Sequence, residues 1–288
     1  GMRWMGVLFS IFLIIAFGLV FNAVQANSIS AAMQTAFSIP DWLTGAILVT
    51  VTGMIIFGGI RAIARFSELV VPFMALAFIL MAVTVMVLNA DKVPQMFSDI
   101  FASAFGAHAA FGAIIGQAIA WGVKRGIFSN EAGHGTGAQA SGAAEVSHPA
   151  KQGLVQAFSA YVDTLLVCSA TAVMILATNA FNVADPANQG GFIMQHLQGV
   201  QASNFTQYAV NSLVPGAGGA FVAVALFFFT FTTVLAYAFY SDSSVAYLFK
   251  RNAQGDGYKY GILFSRVAVV TMSFIGAVSS VDVVWNFG

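Results

Sequence analysis

From Lys124 to Gly142 the chain reads Lys-Arg-Gly-Ile-Phe-Ser-Asn-Glu-Ala-Gly-His-Gly-Thr-Gly-Ala-Gln-Ala-Ser-Gly. Amide, carboxylate, imidazole and hydroxyl groups crowd together there, separated by glycines that let the backbone leave a helical path. The surrounding chain is 59% hydrophobic and only 8% charged, against a norm of about 25% charged for soluble domains. A charged residue at the centre of a bilayer costs about 2.5–3.5 kcal/mol. Irregular polar backbone at that depth is tolerated only where it lines a cavity or is buried in protein. Close helix packing accounts for the glycines, but not for Asn130, Glu131 and His134 among them. An interrupted helix accounts for both, because the freed N–H and C=O groups of an unwound turn can hold a small zwitterion and a cation. Phe128–Gly135 is therefore the leading candidate for a binding segment.

Enzymatic readings of the same residues are weaker. Glu131-Ala-Gly-His134 has the Glu-x-x-His spacing of di-iron bundles, but that site needs a second copy and further carboxylates. Gly135-Thr-Gly137-Ala-Gln-Ala140 mimics a dinucleotide fingerprint without the preceding strand that gives the fingerprint its meaning. Neither a His-Glu-x-x-His motif nor a Gly-x-Ser-x-Gly elbow occurs in the sequence.

Other polar residues stand beside apolar runs. In Asn22, Gln25, Asn27, Ser28 and Ser30 an apolar segment turns polar, as a helix end does on reaching the membrane interface; Gln25 could also reach a solute from one turn inside. Thr230, Thr232, Thr233 and Tyr237 follow Phe227-Phe228-Phe229. Threonines in membrane helices commonly bond back to their own helix, yet adjacent hydroxyls also suit a hard monovalent cation. Thr233 and Tyr237, four apart, face one direction. Asp163 must face protein or water, as a proton relay or as the partner of a base such as Arg125. Cys168, the lone cysteine, excludes a disulfide framework and reads as a buried, inert thiol.

These groups must be carried by membrane helices. Mean hydropathy is +0.84, and the uncharged windows 42–60, 69–90 and 164–184 each approach the roughly 20 residues that cross hydrocarbon. The alternation of a transmembrane barrel is absent. Seven segments are expected, near residues 5–34, 42–63, 69–89, 109–137, 152–181, 217–240 and 260–280. Pro40-Asp41 and Pro72 mark helix starts, while Pro94, Pro149, Pro186 and Pro215 fall in connections or at helix starts. Short interfacial helices are expected at 94–105 and within 190–213, and a bend from Tyr240 to Tyr247, leading to Lys250-Arg251. With Arg3 cytoplasmic, Arg61, Arg65, Lys151, Lys250, Arg251 and Lys259 share its side, opposite Lys92, Asp41, Asp91, Asp99 and Asp185. That skew follows the positive-inside rule. The net charge of zero gives no electrostatic case for nucleic acid.

Residues 124–135, His148-Pro-Ala-Lys-Gln-Gly-Leu-Val-Gln and Asp163-Thr-Leu-Leu-Val-Cys-Ser-Ala-Thr-Ala together resemble the alanine or glycine:cation symporter family. The opening Gly-Met-Arg-Trp-Met-Gly-Val-Leu-Phe, Val24-Gln-Ala-Asn27 and Phe229-Thr-Phe-Thr-Thr-Val-Leu-Ala-Tyr237 extend the likeness. The resemblance implies an all-α polytopic membrane protein of LeuT-like inverted-repeat fold, here a fragment with about seven transmembrane segments in one transmembrane domain over 1–288. Residues 1–89 would be the last three helices of repeat one, and 90–108 a connecting loop with a short helix. Residues 109–288 would be the first four helices of repeat two and the start of the next, with further elements expected at both ends. The resemblance puts Gln25, Phe128, Ser129, Asn130, Glu131, Gly133, Thr233 and Tyr237 around a small neutral amino acid, and Thr232 and Thr233 at a sodium site. It also pairs Gln25 with Thr232 and Thr233 across one central cavity. The family more often carries tryptophan where Tyr237 stands and methionine where His134 stands, which bears on cavity size. The implied activity is symport of alanine or glycine with sodium or protons by alternating access, in the plasma (inner) membrane, with no cofactor beyond the co-transported ion and no enzymatic step. An intramembrane metal enzyme and a passive channel are the rival readings.

Overall fold

In hydrocarbon a helix is the local way for a single segment to pair its own N–H and C=O groups, so the apolar runs are expected to become helices wherever proline, glycine and polar turns release them. A computed structural model describes residues 2–105, 111–131, 133–184, 191–249, 255–280 and 283–284. The long helices are α1 (Arg3–Phe37), α2 (Asp41–Phe57), α3 (Ile60–Leu88), α4 (Val93–Phe105) and α5 (Phe111–Asn130). After them come α6 (Thr136–Gly142), α7 (Pro149–Ala177), α8 (Phe205–Leu213), α9 (Gly218–Leu248) and α10 (Asp256–Val278). Among the described residues five helices, α1, α3, α7, α9 and α10, are long and apolar enough to cross a membrane, and α2 is a shorter apolar one. The expected short helix at 94–105 is present as α4.

Four expectations are corrected. Pro72 lies inside α3 and not at its start. The turn is made at Gly58–Gly59 instead, so Arg61, Arg65 and Glu68 occupy the opening turns of the helix and not a loop. No bend follows Tyr240, because α9 continues to Leu248. The pairing of Asp242 with Arg266 takes away the electrostatic reason for the helix to stop there. Residues 190–213 are not all helical: β1 (Asn182–Ala184) pairs antiparallel with β2 (Phe192–Gln195), with a register irregularity after Val183. The Asn182 amide fixes that hairpin by donating to Leu197 O (2.7 Å) and accepting from the His196 and Leu197 N–H groups (2.9 and 2.8 Å). Lastly, the polar residues after Asn22 do not mark a helix end, since α1 runs on to Phe37. Asp185, Pro186 and Lys250-Arg251 lie outside the described residues, as does the start of the segment expected from residue 109.

The chain divides into two units, with the division falling inside α3. The first comprises residues 1–74 and 216–288. Its centre is α1, which is covered by α2, α9 and α10. Ala26 and Ile29 of α1, Leu48 and Ile56 of α2, Phe231, Leu235 and Ala238 of α9, and Val269 and Ala277 of α10 form one buried cluster. Polar ties cross it. Asn22, fully buried, donates to Val269 O (2.7 Å) and Ser273 Oγ (3.0 Å). Asn27 donates to Gly276 O (3.1 Å) and Ser279 O (2.8 Å). The guanidinium of Arg266 grips Asp242 through Nη2 (2.8 Å) and Nε (2.9 Å), so two charges on neighbouring apolar helices neutralise each other.

Close approach of α1 and α10 depends on Gly276. A Cβ there would fall 2.3 Å from Ala23 O and 2.5 Å from Ala23 Cα, and backbone cannot swing aside as a flexible side chain can. The second unit spans residues 75–215. In it α6 packs on the start of α7, α5 on the middle of α7, and α4 and α8 on its later part. Gly276→Ala should destabilise the first unit by about 1–3 kcal/mol, the usual cost of overpacking, whereas Gly53→Ala, at a site with open space, should change stability little. Thermal unfolding of the two variants in detergent checks the difference, and equal melting temperatures would contradict this packing.

Candidate functional site

The polar segment breaks its helix where the sequence suggested. α5 ends at Asn130, α6 begins at Thr136, and three residues between them take left-handed backbone: Glu131 (φ 51°), Gly133 (φ 81°) and Gly135 (φ 80°). Left-handed backbone costs an L-residue about 1–2 kcal/mol. Glycine at 133 and 135 avoids that cost, and Glu131 bears it. Two bonds close the turn, Glu131 N–H to Phe128 O (3.3 Å) and His134 N–H to Glu131 O (3.1 Å). The remaining peptide groups of the last turn of α5 and the first turn of α6 are the ones such a break sets free.

Side chains hold the edge of the break in place. The Asn130 amide donates to Gly126 O (3.0 Å) and to Thr164 Oγ1 (2.9 Å). Its Oδ1 is buried and has no partner among the described residues. Ser129 donates to Asp163 Oδ2 and lies 3.5 Å from the Cys168 sulfur. Asp163, Thr164 and Cys168 all belong to a π-helical stretch of α7, Val162–Cys168. The wider π turn changes which side chains face a neighbour, and such turns collect at functional sites. Two backbone irregularities therefore meet side by side, one in each helix. Beyond the break α6 is seated on α7: the Ser141 hydroxyl donates to Gln156 Oε1 (3.5 Å), and fully buried Thr136 opens the helix.

Two expectations about this region change, and one further residue joins the site. Asp163 contacts Ser129 and not Arg125. Cys168 is exposed and not buried, although its sulfur lies against Ser129 of α5. Thr164 takes part although its sequence setting gave no signal; only the tertiary pairing with Asn130 reveals it.

The first unit carries the other expected residues. On α1, Asn22, Ala23, Val24, Ala26, Asn27 and Ile29 are buried, whereas Phe21, Gln25 and Ser28 form a half-exposed stripe. Gln25 therefore lies on the face that α2, α9 and α10 leave uncovered. On α9, Thr232 donates to Phe228 O and Phe229 O (3.1 and 2.9 Å), and Thr233 donates to Phe229 O (3.0 Å). Both hydroxyls spend their proton on their own helix, and both residues are half-buried. Their oxygen lone pairs remain the only further bonding capacity, which is acceptor capacity. Tyr237 is buried at 3% exposure, its ring edge-on to Phe17 at 5.1 Å. Phe17 belongs to a second π-helical stretch, Ile14–Val20.

Taken with the five membrane-length helices, a broken helix braced by a neighbouring π turn defines a multi-pass helical membrane protein with a polar site at a helix break. The sodium:alanine symporter family matches residues 1–288, and the chain belongs to that family. It is 48% identical to the carrier protein YrbD of Bacillus subtilis over all of this chain and 58% of the relative. It is 45% identical to a sodium/proton-dependent alanine carrier protein of Bacillus sp. (strain PS3), over 96% of this chain and 61% of the relative. It is also 37% identical to the sodium/alanine symporter AgcS of Methanococcus maripaludis, over 98% and 58%. The chain thus spans less than two thirds of the length of each of these relatives.

Gly133→Val should weaken the structure around the break by about 1–2 kcal/mol, since valine resists positive φ. Gly133→Asn should cost less, because asparagine tolerates that region. Thermal melts of the two variants check this, and equal losses would mean that the left-handed turn is not what the position requires.

Proposed function

We propose that this chain is the larger part of a secondary active symporter that couples inward sodium or proton movement to uptake of a small neutral amino acid such as alanine or glycine. Membership of a symporter family supports transport and not enzymatic chemistry. The observation that carries the reading is the break at 131–135, where a helix of such a chain gives up its own hydrogen bonds. Half-helix ends at membrane depth offer N–H dipoles to a carboxylate and C=O dipoles to a cation or ammonium group.

The proposed substrate set is Gln25, Phe128, Ser129, Asn130, Glu131, Gly133, Thr233 and Tyr237. Thr232 and Thr233 are proposed as sodium ligands, because each presents an oxygen whose proton is already committed to its own helix. The proposed architecture is LeuT-like, with seven membrane segments: the five long helices, α2, and the α5–α6 pair broken at the site. In that scheme residues 1–89 close repeat one, 90–108 connect the repeats, and 109–288 open repeat two. Transport proceeds by alternating access in the plasma (inner) membrane. Sodium and amino acid each raise the affinity of the other, as linkage requires.

The test is uptake of labelled alanine by a protein of full family length carrying this chain, reconstituted in liposomes. An inward sodium gradient should drive accumulation above the outside concentration. Equilibration without accumulation under sodium and proton gradients alike would leave a passive channel, and the proposal would fall. Thr233→Val keeps shape and removes the oxygen, so the sodium concentration for half-maximal uptake should rise about tenfold, near 1.4 kcal/mol, with expression retained. An unchanged sodium dependence would remove Thr233 from the ion site.

A further inference from the structure

Of the carboxylates on the membrane-length helices, Glu68 lies in the opening turns of α3 and Asp256 at the start of α10, whereas Asp163 lies in the middle of α7. Asp242 on α9 has the Arg266 guanidinium 2.8 Å away. Neither that pair nor the exposed Asp256–Lys259 pair involves Asp163. Its contacts are the Ser129 hydroxyl and, at 3.9 Å, the Cys168 thiol. A carboxylate in a helix of this kind needs a positive charge from somewhere, and an ionisable group at membrane depth is by default a functional one.

We propose that Asp163 is a proton-binding site of the transporter, taking a proton from solution on one side of the membrane and releasing it on the other, in step with the amino acid. The inference rests on the symport reading above. Proton and metal cation can be told apart by the surroundings. A sodium ion needs several oxygen ligands, whereas among the described contacts one oxygen, Ser129 Oγ, is hydrogen-bonded to the carboxylate. A proton needs one partner able to serve both charge states. Ser129 is such a partner, since its hydroxyl donates to the carboxylate and can accept from the carboxylic acid.

Loading turns the carboxylate into the neutral acid, and release restores the anion and one aqueous proton, with no other reactant. The proposed route for the proton is the exposed side of Ser129 and Cys168. The load is signalled to the break because Ser129 is the residue before Asn130, in the last turn of α5. Protonation reverses the Ser129 hydrogen bond at the point where that helix ends.

The titratable and charged groups around Asp163 are few. On α5 they are Lys124 and Arg125, a turn before Ser129 and exposed, and in the break that follows it Glu131 and His134; on α7 itself they are Cys168, Tyr161 and Lys151. α4 and α8, which pack on the later part of α7, bring Asp99 and Tyr208. Only the Cys168 thiol is in contact with the carboxylate.

The experiment compares wild type, Asp163→Asn and Asp163→Glu in the full-length protein in liposomes, with labelled alanine and either an inward proton gradient at equal sodium or an inward sodium gradient at equal pH. If one proton is carried, each unit of pH difference supports about tenfold accumulation. Wild type and Asp163→Glu should accumulate alanine under the proton gradient; Asp163→Asn should lose that response and still accumulate under sodium. Proton-driven accumulation that survives in Asp163→Asn overturns the inference, and so does a wild type that responds to sodium alone, which leaves the symport reading intact. A wild type that accumulates under neither gradient overturns both. If Asp163→Asn is lost from the membrane, Ser129→Ala decides: the pH midpoint of proton-driven uptake should shift, and an unmoved midpoint overturns the inference.

Discussion

A peptide group removed from water and left without a hydrogen-bond partner costs several kilocalories per mole, and this constraint governs the whole molecule. It makes the apolar runs helical, and it makes the five residues between Asn130 and Thr136 an expensive feature. Side-chain ties to a neighbouring helix brace the break. Asn130 is tied to α7 through Thr164, Ser129 is tied to Asp163, and α6 is seated on α7 through Ser141 and Gln156. Remove the partner helix and Asn130 and Ser129, just before the left-handed backbone at Glu131, would lose these ties.

The first unit answers the same constraint by another route. Its helices are continuous, and its polar groups serve as cross-ties. Asn22 and Asn27 on α1 reach backbone carbonyls on α10, and small residues at the crossing allow that reach. Gly276 lets α10 come close enough to Ala23 for the asparagines to span the gap. Without a hydrophobic driving force between helices in lipid, close packing and interhelical hydrogen bonds supply the association. The unit is therefore built to hold its helices still. The threonines of α9 and the open stripe of α1 bearing Gln25 are displayed on that fixed frame.

Much was legible before any coordinates, for reasons particular residues make plain. The helix break could be read because glycines at 133 and 135 bracket a carboxylate and an imidazole, a combination that uninterrupted packing does not need. Back-bonding by Thr232 and Thr233 could be read because a hydroxyl in hydrocarbon has few other partners. Pro72 misled, since a proline can sit inside a membrane helix as well as at its start, and the chain turns earlier, at Gly58–Gly59. Asn22 and Asn27 misled too, because polar residues at the end of an apolar run look alike whether they meet water or another helix.

The sequence by itself determined which segments are helical, where one of them must break, and which residue types gather at the break. These follow from local chemistry: hydropathy, backbone freedom and the cost of charge in lipid act within a few residues of one another. Only the tertiary structure decided that Asp163 turns to Ser129, that Thr164 braces Asn130, and that Cys168 lies beside Ser129 and stays exposed. Those outcomes depend on the phase of the π turn in α7 and on the helix set against it. A single added residue in a turn rotates every later side chain, and no local pattern in the sequence fixes that rotation.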